Sequence, residues 1–315
     1  MEVSIIIPVF NEKDSLEQLV GELETNLKGF NLWEVIFVDD GSSDGTSEWL
    51  TNFCSENQNF KLLQFFRNYG KSAALNEGFK FCKGNYVITM DADLQDDPSE
   101  IKNLISKLEE GHDLVSGWKK TRHDPLNKRL PSKVFNFVTR FMTGVKIHDF
   151  NCGLKGYKKA VIKSIDVYGG HHRYIPAIAG QKKFKITEII VNHRARKFGE
   201  TKYGGSRIFH GFFDLITILF LNRYTQQPLH LFGSFGISFL TLGTIVEGFV
   251  LYYKYFLGEP FAKHMALLTL GVMLIVIGIQ FFSIGLLGEL LSKFTQGNEN
   301  RIKKTINIGK LNTSN

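Results

Sequence analysis

At 315 residues with a net charge of +7, the chain has room for one large domain or two small ones, and its excess cations suit anionic partners such as phosphates, lipid headgroups or nucleic acid. The three cysteines, Cys54, Cys82 and Cys152, are far apart and odd in number. They fit neither a disulfide framework nor a metal pattern and read as reduced thiols of a cytosolic compartment. The opening "EVSIIIPVF" has the alternation of a strand rather than the build of a signal peptide.

From there to about residue 118 strands and helices alternate. "VSIIIPVF" reads as a strand, and "DSLEQLVGELETNLKG" as a helix with Asp14 or Ser15 at its N-cap and Gly29 at its stop. "WEVIFVDD" and "SDGTSEWLTNFCSEN" repeat the pair, as do "FKLLQFF" and "GKSAALNEGFKFCKG", closed by Gly84. "NYVITMDAD" is a fourth strand, "PSEIKNLISKLEEG" a helix opened by Pro98, and "DLVSGW" a fifth strand. Such alternation predicts an α/β fold with a doubly wound, mostly parallel sheet, whose ligands sit beyond the carboxyl ends of the strands. The polar residues Asn11, Glu12, Asp39, Asp40, Asn68, Asp91 and Asp93 all fall there.

Residues 119–143 are basic with interleaved apolar positions, Leu130, Val134, Phe137, Val138 and Phe141 sharing a helical face. Residues 206–228 begin with a second amphipathic, aromatic-rich run. The stretches at about 231–253 and 265–289 are long and apolar enough to span a bilayer, and together form a hairpin within 229–292. Beside two such spans, both amphipathic runs are expected at a membrane interface. The tail, 293–315, carries Lys293, Arg301, Lys303, Lys304 and Lys310, which by the positive-inside tendency places it, with residues 1–205, on the cytoplasmic side of the inner membrane. Glu247, within the first span, is expected against the partner helix, another subunit or the outer interface.

The chemistry gathers in "YVITMDADLQDDP". At the extended end of this strand Asp91 and Asp93 point the same way and form an oxygen pair for a hard divalent cation, Mg²⁺ or Mn²⁺, which would hold a nucleotide diphosphate. Asp96 and Asp97 are expected to face solvent and cap the helix behind Pro98. "VIFVDDGSSDGT" ends another strand in acids able to accept from a ribose or a base edge, and no glycine-rich phosphate loop is present. His171 and His172 lack ligand spacing and read as structural, with Arg173 and Tyr174 near an acceptor mouth.

The runs "IIIPVFNE", "VDDGSSDGT", "RNYGKSAALNEGF", "MDADLQDDP" and "FGETKYGGSRI", in this order, resemble glycosyltransferase family 2, in its branch of dolichol-phosphate mannose synthase and bacterial undecaprenyl-phosphate sugar transferases. The resemblance covers nearly the whole chain. It implies a GT-A-type catalytic domain and inverting transfer of a sugar from a nucleotide diphosphate to a polyprenyl phosphate. It places Pro8, Phe10, Glu12, Val38 and Asp40 at the nucleoside, Asp91 and Ala92 at the diphosphate with Lys119 near it, and Asp91, Asp93 and Gln95 around the metal. Arg196 and Lys202 stand where the family has phosphate-binding cations. Asp93, Asp149, Arg196 and Lys202 are then the catalytic candidates, with Asp149 a base, an orienter of the acceptor or the cap of a turn. Arg129, Lys133 and Lys202 are candidates for the lipid phosphate, against generic attraction to headgroups. Phe10 for Tyr, Lys119 for Arg and Thr201 for Ser depart from the family pattern, and lysine gives up bidentate phosphate geometry. The partners implied are a sugar nucleotide, a polyprenyl phosphate and membrane lipid, not nucleic acid, and self-association of the chain is permitted. A processive polysaccharide synthase, for which a Q-x-x-R-W motif is lacking, and a non-catalytic nucleotide-binding scaffold are the alternatives.

Overall fold

The computed structural model describes residues 2–120, 126–167, 169–194 and 228–295. They belong to two compact units, Met1–Ile218 and Leu219–Asn315.

The first unit is built on seven strands in the order β3-β2-β1-β4-β6-β5-β7. Strands β1 (Val3–Val9), β2 (Trp33–Asp39), β3 (Phe60–Gln64) and β4 (Tyr86–Thr89) are mutually parallel. Beyond them β6 (Lys155–Lys158) runs antiparallel to both β4 and β5 (Leu114–Trp118), and β7 (Ile186–Ile190) pairs parallel with β5. The chain thus enters β5 from the far side of β6, and two strands complete a sheet whose first five were legible in sequence.

Alternation along the strands separates two cores. Val3, Ile5, Ile7 and Val9 point into one with Leu16, Leu19 and Leu23 of α1 (Lys13–Leu27), Leu50 of α2 (Thr46–Glu56) and Leu104 and Leu108 of α4 (Ile101–Glu109). Ile6 points into the other, with Ala74 and Phe79 of α3 (Lys71–Phe81), Val161 of α6 (Lys159–Ile162) and Ala179 of α7 (Ile175–Gln181). Helices therefore cover both faces. The connections leave β1 in opposite directions, towards β2 and towards β4, so a crevice opens at the carboxyl ends of these strands.

Local endings differ from the sequence pattern. The N-cap of α1 is Glu12, not Asp14 or Ser15; Ser15 instead donates to the Glu12 carbonyl at 2.8 Å. Strand β4 stops at Thr89, four residues before Asp93, because its neighbour β1 pairs with it only through Ile6. The helix α5 (Leu126–Thr143) is formed as expected, with Asn136 and Thr139 buried, Val138 half-buried and Phe137 and Phe141 exposed. The residues of the second amphipathic run and of the basic tail beyond Thr295 lie outside those described.

The described residues of the second unit form α8 (Pro228–Tyr255) and α9 (Met265–Thr295), joined by residues 256–264, which hold Gly258 at φ +69° and the helical turn Phe261–His264. Both are long and apolar enough to cross a membrane. Gly236 and Gly243 of α8 meet Gly278 and Gly271 of α9 so closely that a methyl group on Gly236 would lie 2.9 Å from the Gly278 carbonyl oxygen. Glu247 of α8 packs its carboxylate against Gly271 of α9, the first of the placements expected for it.

Candidate active site

The acids after β4 sit in a turn rather than on a strand. Residues Met90 to Asp97 leave the sheet, and Leu94 takes a left-handed conformation, φ +60°, that folds the run back on itself. Asp91 and Asp93 are therefore not set side by side along a strand as expected, because the turn between them is held by hydrogen bonds of its own. The Gln95 N–H donates to Asp93 Oδ1 at 3.2 Å, and the Asp91 N–H donates to Asp96 Oδ2 at 3.1 Å.

Each of three acids in this turn has its own cation. Lys71, the first residue of α3, donates to Asp91 Oδ1. Lys119 places its ammonium 2.9 Å from Asp96 Oδ1, an electrostatic rather than a directional contact. Arg194 reaches Asp97 at 2.9 Å and Glu22 at 2.6 Å. Asp97 also caps the helical turn behind it, accepting from the Ser99 N–H at 3.0 Å. The capping is as expected, but the exposure is not: Asp96 is 1 % and Asp97 7 % exposed, because lysine and arginine from distant elements replace the water that would solvate them.

Electrostatics follow the pairing. Burial would raise the pKa of Asp91, but the Lys71 ammonium outweighs it and holds the carboxyl at about 2. Burial would discharge Lys119, but Asp96 above all reverses this and raises its pKa. Lys155, on β6, is less fully compensated. Burial above all, with Lys71 nearby, lowers its pKa despite the charges of Asp149 and Asp91, while its ammonium donates to the Cys152 carbonyl. His172 is pushed well below its ordinary value by burial and then by Lys71, so it is neutral; Ser72 Oγ lies 2.9 Å from its Nδ1. A small enclosed space is lined by Lys71, Thr89, Asn151, Lys155, His172 and Arg173. Tyr174, expected near its mouth, is fully buried.

The other expected residues are distributed around this turn. Asp40 accepts from the N–H groups of Tyr69 and Gly70 at 2.6 and 2.9 Å, tying the start of α3 to the end of β2. Pro8, Phe10 and Glu12 are half-buried at the end of β1, where the Glu12 N–H donates to Thr46 Oγ1 at 3.1 Å. Val38 and Ala92 are buried with their side chains in the two cores, so each can offer a ligand only its backbone. Asp149 is 1 % exposed and accepts from the Asn151 N–H at 3.0 Å, the turn-capping arrangement. Its loop is gripped from outside, where His148 stacks on Trp118 with ring centroids 4.2 Å apart. Arg129 and Lys133 fall on α5 with side chains outside the described part, and Arg196 and Lys202 lie outside the described residues. Arg173, expected near an acceptor mouth, lines the small enclosed space, whereas Lys71 and Lys155 were not singled out as site residues by sequence reasoning. A signal for Lys71 was present: a lysine at the first position of a helix opposes the helix dipole, so it calls for an acid elsewhere.

Among the described residues, no three His, Cys, Asp or Glu side chains gather as a metal cage. The donors present are nonetheless of one kind: the carboxylates of Asp91 and Asp93 and the amide of Gln95. An all-oxygen set of this size suits a hard cation that completes its shell from substrate phosphates.

Comparison with known proteins decides between fold and family. The model of "Glycosyl transferase family 2" matches residues 4–166, from β1 to beyond β6. The chain belongs to glycosyl transferase family 2. Among curated relatives, the transferase is 36% identical to the dodecaprenyl-phosphate galacturonate synthase of Rhizobium johnstonii over 299 residues, 93% of this chain and 88% of that one. It is 35% identical to the undecaprenyl-phosphate 4-deoxy-4-formamido-L-arabinose transferase of Pseudomonas savastanoi pv. phaseolicola over 293 residues, 92% of this chain and 86% of the relative. Solved structures of similar fold include mannosyl-3-phosphoglycerate synthase from Rubrobacter xylanophilus, with TM-score 0.56 and 15% identity over 70% of this chain and 74% of that one. Another is glucosyl-3-phosphoglycerate synthase from Mycobacterium tuberculosis in complex with Mn²⁺ and uridine-diphosphate-glucose, with TM-score 0.53 and 17% identity over 70% and 78%. The transferase thus has the GT-A-type sheet that its motifs imply.

Proposed function

We propose that this family 2 transferase moves a sugar from a nucleoside-diphosphate sugar to a polyprenyl phosphate, with inversion at the anomeric carbon, at the cytoplasmic face of a membrane that α8 and α9 cross as a hairpin. The observation that carries the reading is the near-full-length similarity to two transferases named for polyprenyl phosphates. At 299 residues the first match is longer than the 218-residue first unit and so reaches into the apolar helices.

The chemistry asked of the protein is modest. A lipid phosphate near neutral pH carries close to two charges and is already a nucleophile. Its oxygen forms a bond to the anomeric carbon as the bond to the diphosphate oxygen breaks, the electron pair leaving with the diphosphate. No strong base is needed, so Asp149, buried and capping its own turn, serves to fix the loop that meets the acceptor. The demand is to bring two anions together and to stabilise the charge on the leaving group. Asp91, Asp93 and Gln95 would hold a Mg²⁺ or Mn²⁺ ion, which supplies charge neutralisation to the diphosphate. Arg196 and Lys202 would add cations around the same phosphates, while Lys119, expected there from the resemblance, is held on Asp96 behind the turn; Arg129, Lys133 and Lys202 would take the lipid phosphate. Pro8, Phe10, Glu12 and Asp40 would border the nucleoside, with backbone contributions from Val38 and Ala92. The exposed aromatic side of α5 would lie against membrane lipid, and self-association through the hairpin is compatible with the open space beside Gly248 of α8.

The test uses membranes containing the full chain, undecaprenyl phosphate and a panel of radiolabelled sugar nucleotides that includes uronic acid and amino-sugar donors. Label should enter the organic-extractable fraction, and only with Mg²⁺ or Mn²⁺ present. Asp93→Asn should abolish it. Nucleotide binding with no lipid product from any donor would favour a non-catalytic scaffold, and a long polymer would favour a processive synthase.

A further inference from the structure

The two lysine–aspartate pairs of the acid turn are built differently. Lys119 and Asp96 are sealed, their side chains 13 % and 1 % exposed. Lys71 and Asp91 stand at the mouth of the crevice, 25 % and 33 % exposed, where a ligand can reach them. Lys71 also sits at the first position of α3, where the helix dipole disfavours a cation, and the acid of its own helix, Glu77, is occupied by Lys80 at 2.6 Å. Asp91 has little freedom to turn aside. Gly153 presses on it from behind, so that a methyl group at Gly153 would lie 2.6 Å from Asp91 Oδ2. A second cation arriving at Asp91 therefore competes with Lys71 for one carboxylate rather than taking a separate position.

We propose that Lys71 is the resident cation of the acid turn: without substrate its ammonium holds the place on Asp91 that the divalent ion takes in the working enzyme, and donor loading displaces it. This rests on the reading of Asp91 as a metal ligand. The exchange conserves charge. The incoming divalent ion brings its own anion, the nucleoside diphosphate, and the released ammonium, on a flexible four-carbon arm, is free to pair with that anion. Bare metal brings no such partner for Lys71, whose retreat is towards neutral His172 and the already destabilised Lys155. The metal therefore binds weakly alone and well together with the nucleotide.

The experiment is a titration of the detergent-solubilised full-length protein with Mn²⁺ alone, followed by calorimetry or by the electron-spin signal of the free ion. Removing an opposing charge at this range is worth one or more powers of ten, so Lys71→Met should bind Mn²⁺ about tenfold or more tightly than wild type. Lys71→Arg, which keeps the charge, should bind as weakly as wild type. A merely structural salt bridge predicts the opposite sign, since its loss loosens the turn and weakens binding. Lys71→Met binding Mn²⁺ no more tightly than wild type would overturn the proposal. Lys71→Gln carries the same expectation if the methionine variant does not fold. In Lys71→Met with Asp91→Asn the tight site should disappear. If it persists, the metal is not at Asp91, and the reading of the acid turn fails along with the proposal. If Asp91→Asn alone weakens Mn²⁺ binding while both Lys71 variants leave it unchanged, that reading stands and only the role of Lys71 falls.

Discussion

Asp96 is 1 % exposed and has Lys119 as its counter-ion, so Lys119→Met strands a carboxylate in the interior. Breaking a buried pair by removing one partner costs about 3–5 kcal/mol, against about 1 kcal/mol or less for an exposed pair. Chemical denaturation of the purified protein should show a loss of that order, and the exposed-pair variant Lys107→Met should show almost none. At Gly153 the cost falls on function as well. Gly153→Ala pushes a methyl group into the Asp91 carboxylate, and turnover should drop at least about tenfold while stability falls by an overpacking cost of about 1–3 kcal/mol. The turn also responds to acid. Burial tends to raise the pKa of Asp97, but bonds from Ser99 and Asn192 and the charge of Arg194 bring it below the ordinary 3.8. A carboxylate whose folded pKa is depressed contributes stability in full above its free value, and that contribution is lost as the pH falls through the folded value. Denaturation midpoints measured from about pH 6 downwards should therefore fall more steeply below about pH 4 for wild type than for Asp97→Asn.

At the scale of elements, periodicity made the first five strands and the helices between them readable, because each strand alternates between two cores and each helix has one apolar side. What stayed hidden depended on contacts far apart in sequence. Nothing local in "MDADLQDDP" says that β4 ends at Thr89, since the end is set by where β1 stops pairing with it. Nothing local distinguishes Asp96 from Asp93, since the lysine that buries Asp96 comes from the end of β5. The four residues of β6 were missed because the strand is short, and "KGYK" shows no apolar alternation. Helix α5 was read correctly as amphipathic, and the structure shows which of its sides remains open. Asn136 and Thr139 turn inward, Asn136 accepting from the Phe150 N–H at 3.3 Å, while Phe137 and Phe141 are 68 % and 82 % exposed. Replacing both phenylalanines by serine removes no core contact and should leave the unfolding midpoint within about 0.5 kcal/mol of wild type. If this face meets lipid, the same variant should bind anionic vesicles less well and require more polyprenyl phosphate for half-maximal rate, measured at fixed donor.

Taken whole, the molecule consists of two units that each close on their own contacts, the sheet with its helices and the pair α8–α9. The pair has a distinct mode of cohesion. In the proposed bilayer setting there is no hydrophobic gain from bringing two apolar helices together, so association would depend on close backbone approach and on packing. Gly236 and Gly243 on α8, and Gly271 and Gly278 on α9, recur at seven-residue spacing and form one seam. At Gly278 a β-carbon would lie 2.8 Å from the Gly236 carbonyl oxygen and 2.8 Å from the Leu240 nitrogen, backbone atoms that cannot give way. Gly278→Leu should therefore force the helices apart. If Gly278 and the acid turn share no partner, effects at the two places should be independent to within about 0.5 kcal/mol, or roughly twofold in an affinity. Calorimetry with the nucleoside diphosphate and Mn²⁺ should thus give the wild-type affinity to within about twofold. Transfer to a membrane-embedded acceptor depends on the hairpin as well, and in the same preparation it should fall by about tenfold, the equivalent of a packing loss of about 1–3 kcal/mol. A variant that lost both to the same degree would mean that the acid turn depends on the helix pair for its own fold. One that lost neither would mean that the seam tolerates separation and that the acceptor reaches the crevice without it.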